Sequence, residues 1–187
     1  MYRTLEWLFA AILLLITVPI MAVIVVLIRL ESRGNPILVQ TRVGRHEKPF
    51  RLYKLRTMHQ GTPVAGSHEV SAGYVTACGA WLRRTKVDEL PQLWNVVLGQ
   101  MRLVGPRPCL PTQSDVIAAR RARSVFDVAP GITGAAQVSG IDMSRPEQLA
   151  AADADYIARR TALGDLALLW QTFTGRGRGD AIGSADR

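Results

Sequence analysis

The chain has 187 residues, of which 48% are hydrophobic and 6% aromatic, with 23 Lys and Arg against 15 Asp and Glu and a formal net charge of +8. That length suits one domain with a modest core, and the basic surplus favours phosphorylated ligands or acidic lipid headgroups over cationic partners. So few aromatics leave little for the base stacking of a nucleic-acid binder, and the two cysteines (no CxxC pair) exclude a disulfide framework and a zinc site and fit a reducing compartment.

The first element is apolar. From Trp7 to Ile28 every residue except Thr17 is hydrophobic or proline, and Arg3, Arg29 and Arg33 flank the block. Its length is what a bilayer core requires. A secretory signal would need a shorter apolar core and small residues at a cleavage site, and Leu27-Ile28-Arg29-Leu30-Glu31 offers none. Pro19 sits in the middle, where it removes a backbone hydrogen bond and bends the axis. Two dispositions stay open: a spanning helix oriented by the positive-inside rule, or a bent one that enters and leaves by the cytoplasmic face. Both put the remaining residues on the inner face.

Gly34-Asn35-Pro36 ends this segment. Residues 37–43 and 50–57 carry β-favouring side chains around a polar turn at 44–48, which predicts a short hairpin. Residues 58–73 are polar and Gly-rich, a loop by composition. Helical periodicity predicts helices over 74–84, 89–98, 113–126, 146–160 and 165–173. Two stiff loops interrupt them, Gly105-Pro106-Arg107-Pro108 and Pro130-Gly131-Ile132-Thr133-Gly134. The expected fold is α+β and mainly helical, with a membrane-anchoring helix over 1–33, a compact catalytic domain over 34–174 and a flexible tail over 175–187. In the helix near Gln113, Arg120, Arg121 and Arg123 alternate with apolar residues. That face either rests on an anionic membrane or is simply solvated.

The run Arg83-Arg84-Thr85-Lys86-Val87-Asp88-Glu89-Leu90-Pro91 carries the chemistry. Asp88 has the character of an N-cap and Pro91 suits a first helical turn, which is also how an ordinary helix start reads. Two adjacent carboxylates there would let one bind a divalent cation while the other attacks phosphorus, with the helix N-terminus and nearby Arg83, Arg84 and Lys86 offsetting the charge of a pyrophosphate. In the Gly-Pro-Arg-Pro loop two prolines frame Arg107, a residue type suited to bidentate phosphate contact.

In this order the pieces resemble the small monotopic phosphoglycosyl transferases, the bacterial sugar transferases that initiate glycoconjugate synthesis. The resemblance rests on the Pro-broken N-terminal segment, Gln40-Thr41-Arg42-Val43-Gly44, residues 50–58 (FRLYKLRTM), 83–93 (RRTKVDELPQL), 95–99 (NVVLG), 101–108 (MRLVGPRP) and 130–140 (PGITGAAQVSG). It implies that Asp88 is the nucleophile of a covalent phospho-sugar intermediate and that Glu89 is its partner carboxylate, associated with Mg²⁺. Arg83 and Arg107 are implied to contact phosphates, and Gln137 and Asp153 become candidates for substrate binding. The N-terminal segment is implied to be re-entrant, breaking at Pro19. The implied reaction moves a sugar 1-phosphate from a UDP-sugar to undecaprenyl phosphate and releases UMP. Its implied setting is the cytoplasmic face of the bacterial inner membrane, among anionic lipids, as the first membrane step of exopolysaccharide, O-antigen or glycoprotein glycan synthesis. A homodimer is one option for its assembly; no nucleic acid is expected as a partner. The chain departs from the family in Val18-Pro19 where Ser-Pro is frequent, in Glu6 where Asp is usual, and in Ile141-Asp142 where many members place Arg. A membrane-anchored scaffold is the competing reading, but it needs neither paired carboxylates nor a framed arginine.

Overall fold

The computed structural model describes residues 2–62 and 72–175. Most of the polar loop expected at 58–73 and the tail expected after residue 175 lie outside the described residues, as does His68. Helix α1 spans Tyr2–Glu31 and continues through Pro19. Proline removes the donor that would reach the Leu15 carbonyl. Two residues earlier, Thr17 donates its hydroxyl to the carbonyls of Leu13 (2.8 Å) and Leu14 (3.1 Å), a back-bond that loosens helices locally.

Both ends of α1 are tied to the rest of the protein. Near the start, Glu6 accepts from Arg102 Nη2 (2.8 Å), Arg102 Nε (3.0 Å) and the Leu103 amide (2.8 Å), while Trp7 Nε1 donates to the Val97 carbonyl at 2.9 Å. At the far end the Cys78 amide donates to Glu31 at 3.1 Å, and Arg56 donates to the Ser32 carbonyl at 2.7 Å. Ala10 near one end and Ile24 and Ile28 near the other are buried, whereas Leu15, Ile16, Val18, Ile20 and Val23 between them are exposed. Helix α1 is long and apolar enough to cross a membrane.

Strands β1 (Ile37–Val43) and β2 (Pro49–Leu55) form the expected antiparallel hairpin, with Gln40 opposite Leu52. Its turn holds His46 and Glu47 at positive φ. Helix α2 (Ala77–Thr85) starts later than its periodicity predicts. Thr76 caps it by accepting from the Gly79 amide, and Lys86 ends it in the left-handed region. A 3₁₀ turn, Val87–Glu89, leads into the short helix α3 (Gln92–Val97).

Beyond α3 comes a second, two-stranded sheet that periodicity could not reveal. Strand β3 (Arg102–Val104) runs parallel to β4 (Gly131–Thr133), each only three residues long. Glycine permits the approach: a Cβ on Gly131 would fall 2.1 Å from the Gly105 amide nitrogen. Residues 131–133, expected in a loop, are therefore strand.

The expected helix 113–126 is broken into α4 (Ser114–Arg121) and a 3₁₀ turn (Val125–Asp127) by Ser124, whose φ is +55°. A single turn of helix, α5 (Ala135–Val138), precedes α6 (Pro146–Ala158) and α7 (Ala162–Phe173). One core cluster joins Ala10 of α1 to Phe50 and Leu52 of β2, Leu93 and Val96 of α3, and Leu103 of β3. A second gathers Val43, Val116, Phe126 and Leu149, and a third joins Ile24 and Ile28 to Leu55 and Leu82. Helix α1 thus belongs to two of the three clusters.

Candidate active site

Asp88 and Glu89 sit side by side in the 3₁₀ turn, only 2% and 7% exposed. The N-cap expected of Asp88 is not formed: its side chain caps no helix, and the backbone runs from Val87 through Leu90 and Pro91 in helical geometry into α3. The charge that faces Asp88 comes from another element. Lys54 of β2 places Nζ 2.9 Å from Asp88 Oδ2 and 3.9 Å from Glu89 Oε1. Arg107 Nη2 donates to the same Glu89 oxygen at 2.9 Å. Two carboxylates and two cations therefore form one cluster, in which Asp88 Oδ2 keeps an ion pair but makes no hydrogen bond among the described residues.

Lys54 is aimed by a buried amide. Asn95, on α3, accepts from the Tyr53 amide at 3.2 Å and donates to the Arg51 carbonyl at 2.7 Å, pinning β2 just ahead of residue 54. As a lysine in a half-exposed strand, Lys54 carries no local signal of a role in the sequence. Its function lies across the fold, in residues 34 and 35 positions further on.

The Gly-Pro-Arg-Pro loop is stiff for more reasons than its prolines. Four successive carbonyls are held: Pro106 by the Gly131 amide (2.9 Å), Arg107 by Arg120 Nη1 (2.7 Å), Pro108 by Arg42 Nη1 (3.1 Å) and Cys109 by the Val43 amide (3.0 Å). Such complete satisfaction fixes the backbone from which the Arg107 side chain reaches Glu89. Arg120 itself is 1% exposed and paired with Asp153, 2% exposed, through Nε (3.0 Å) and Nη2 (2.7 Å). Burial pushes the Asp153 carboxyl upward from its usual range, and Arg120 opposes that rise. Asp153 is thus committed to Arg120, turned into the protein and away from the cavity described next.

Of the basic face expected on the helix from Gln113, one arginine is turned inward and the other two stay at the surface in ion pairs. Arg120 is buried, Arg121 pairs with Glu47 at 2.6 Å, and Arg123 pairs with Glu147 at 2.8 Å.

In front of the cluster lies a cavity of about 340 Å³, lined by Lys54, Arg42, Arg56, Arg83 and Arg107 together with Gln40, Thr57 and Gln92. Arg83 donates through Nε to Thr57 Oγ1 at 2.9 Å, while its Nη1 is buried with no hydrogen-bond partner among the described residues. Buried guanidinium donors are rarely left so. A basic cavity with an orphaned donor suits a phosphorylated ligand. Gln137 does not line this cavity; its Oε1, on α5, is buried without a hydrogen-bond partner among the described residues. The structure thus brings Asp88, Glu89, Arg83 and Arg107 together, adds Lys54, and sets Gln137 and Asp153 apart.

No group of three or more His, Cys, Asp or Glu among the described residues could hold a metal ion alone. Mg²⁺, however, is ordinarily held by one or two carboxylates and substrate phosphates, with water completing the shell. The adjacent carboxylates, one with a buried oxygen that lacks a hydrogen bond, fit that requirement.

The family described as bacterial sugar transferase matches residues 1–177, and the chain belongs to it. It is 37% identical over 179 residues to UDP-glucose:undecaprenyl-phosphate glucose-1-phosphate transferase of Caulobacter vibrioides, covering 91% of this chain and 67% of that protein. It is 46% identical over 108 residues to a putative undecaprenyl-phosphate N-acetylgalactosaminyl 1-phosphate transferase of Bacillus subtilis, covering 57% of this chain and 60% of that relative. An uncharacterized sugar transferase, EpsL, of the same bacterium is 37% identical over 87% of this chain and 80% of its own length. The chain thus spans about two thirds or less of the first two relatives.

Proposed function

We propose that the protein transfers a sugar 1-phosphate from a UDP-sugar to undecaprenyl phosphate, with Asp88 as the nucleophile. The observation that carries this reading is the buried Asp88–Glu89 pair, neutralised by Lys54 and Arg107 at the back of a cavity lined by further arginines. A carboxylate can attack an anionic phosphorus only where the repulsion between them is offset.

The donor's pyrophosphate enters the basic cavity, where the orphaned Nη1 of Arg83 and the guanidinium of Arg107 receive it. Lys54 covers Asp88, so the incoming phosphate also gives the ammonium a new partner and thereby uncovers the carboxylate. An Asp88 oxygen then bonds to the sugar-linked phosphorus as the bond to UMP breaks, and the electron pair leaves on the UMP phosphate. In the second step an anionic oxygen of the acceptor phosphate bonds to the same phosphorus. Asp88 departs as a carboxylate, and no proton needs to be removed. Glu89 and Asp88 would hold Mg²⁺, which supplies charge neutralisation of the pyrophosphate when bound.

The membrane part of the proposal is a re-entrant α1. Its two ends hydrogen-bond to the same body of protein while apolar residues between them are exposed, which suits a helix leaving by the face it entered. A straight helix of 30 residues would be about 45 Å long and would carry its ends to opposite faces. The exposed Trp81, Trp94 and Trp170 suit the headgroup level, on the cytoplasmic face of the inner membrane.

Purified protein with Mg²⁺, undecaprenyl phosphate and a panel of UDP-sugars is expected to release UMP with at least one donor. Chelation by EDTA should stop it and added Mg²⁺ restore it. Absence of UMP with every donor would remove the reading.

A further inference from the structure

The arginines that line the basic cavity are held by different groups. Gln40 accepts from Arg42 Nη2 (2.6 Å) and Nε (3.0 Å), the Ser32 carbonyl from Arg56 Nη2 (2.7 Å), and Glu89 from Arg107 Nη2 (2.9 Å). Arg83 is held by the Thr57 hydroxyl, which accepts from its Nε. That threonine is only 4% exposed and is itself fixed. Its carbonyl accepts from the Thr76 amide at 3.1 Å, and Thr76 in turn caps α2 by accepting from the Gly79 amide at 2.9 Å. A Cβ on Gly79 would fall 2.0 Å from the Thr57 carbonyl oxygen, so glycine lets α2 pack this closely. Arg83 follows Gly79 by four residues and leaves α2 on the same face. Gly79 thus brings the helix onto Thr57, and one turn later Arg83 meets the Thr57 hydroxyl.

A guanidinium is a rigid planar fork, so a bond at Nε sets the plane in which both Nη donors lie. For Arg83 that plane leaves Nη1 buried with no hydrogen-bond partner among the described residues, a costly arrangement that a freely turning side chain would escape toward solvent. Threonine is an apt holder in two respects. Its branched Cβ restricts χ1, so the oxygen does not swing. It is also neutral: a carboxylate there would cancel the charge that has to meet an anion, whereas a hydroxyl fixes the fork and leaves the positive charge for the ligand. We propose that Thr57 is the positioning residue of the donor site, holding Arg83 by Nε so that Nη1 is presented to the pyrophosphate before the nucleotide arrives. In this role Thr57 need not touch the substrate; it acts through Arg83. The inference rests on the transfer reading above and deepens it. Preorganisation of this kind acts on donor binding and leaves the acceptor untouched.

The test uses the full chain in lipid nanodiscs with Mg²⁺, undecaprenyl phosphate and the donor selected by the panel. Thr57→Val keeps the shape of the side chain and removes its oxygen. It is expected to raise the KM for the UDP-sugar about tenfold, with kcat and the KM for undecaprenyl phosphate changed by less than about twofold. Thr57→Ser restores the accepting oxygen and should recover most of the loss. A double-mutant cycle then separates positioning from mere support of the fold. Arg83→Lys keeps a charge but lacks Nε, so adding Thr57→Val to it should cost less than about twofold more. The same tenfold cost in both backgrounds overturns the inference. A donor KM unmoved by Thr57→Val overturns it as well, as does a Thr57→Ser variant as impaired as Thr57→Val. Should a thermal melt show the valine variant unfolded, Thr57→Ala takes its place in the cycle with the same expectations. If the unmodified protein releases no UMP with any donor, the transfer reading itself fails; if it turns over and the cycle is additive, this inference alone fails.

Discussion

The Arg120–Asp153 pair and the Lys54–Asp88–Glu89–Arg107 cluster share residue 107: the first holds its carbonyl and the second uses its guanidinium. They differ in what is left over. In the first, Nε, Nη1 and Nη2 of Arg120 all have partners, and both side chains are sealed from solvent. In the second, Asp88 Oδ2 is held by the Lys54 ion pair alone, and Arg83 Nη1, of a residue lining the cavity, is buried with no hydrogen-bond partner among the described residues. A satisfied buried network gives rigidity, while a deficit beside open space marks where a ligand completes the structure. The difference separates the frame of the site from its working groups, although both are buried and ionic.

The largest effect should come from the working groups. Asp88→Asn is expected to lower UMP release by about 10⁴-fold or more, because a nucleophile has no substitute. Intact-mass analysis should find no phospho-sugar adduct on that variant, and full turnover by it would move the nucleophile elsewhere.

The frame should respond in stability first. Arg120→Met leaves Asp153 buried and alone, a loss of about 3–5 kcal/mol that a thermal melt would register. Adding Asp153→Leu should recover much of the melting temperature without recovering kcat, since the Arg107 carbonyl stays unheld. Recovery of both together would show that the pair serves stability only.

Smaller still, Lys54→Met is expected to reduce kcat by about 10²-fold, the scale of one electrostatic donor, with less change in the donor KM. A change confined to KM would make Lys54 a binding residue.

The smallest effect should be seen at high pH. Burial, then a 2.7 Å hydrogen bond to Asp165, raise the Tyr156 phenol well above the ordinary tyrosine range. The folded protein therefore keeps a proton that the unfolded chain gives up at about pH 10, and the associated stability is full below that pH and lost above it. Between about pH 9 and pH 11 the unmodified protein should lose more melting temperature than Tyr156→Phe does. Equal losses would mean that the tyrosine is not coupled to unfolding.

Much of the molecule was legible in one dimension because its signals are local. The apolar block of α1, the hairpin of β1 and β2, and the long helices α6 and α7 follow from periodicity and turn residues over windows long enough to repeat. The adjacency of Asp88 and Glu89 and the two prolines around Arg107 are likewise properties of neighbours in the chain. Strands of three residues such as β3 and β4 show no period, so their pairing waits on the close approach that Gly131 and Gly105 allow. Helix α4 ends early because Ser124 turns left-handed, which no propensity of serine foretells.

The sequence alone determined which residues could bear charge and chemistry, and in what order. Only the tertiary structure decided how they are shared out. It turned Arg120 and Asp153 inward to each other and brought Lys54 across to Asp88, beside a basic cavity. Burial and ionic pairing depend on distances between residues far apart along the chain, and those distances exist only once the chain has packed.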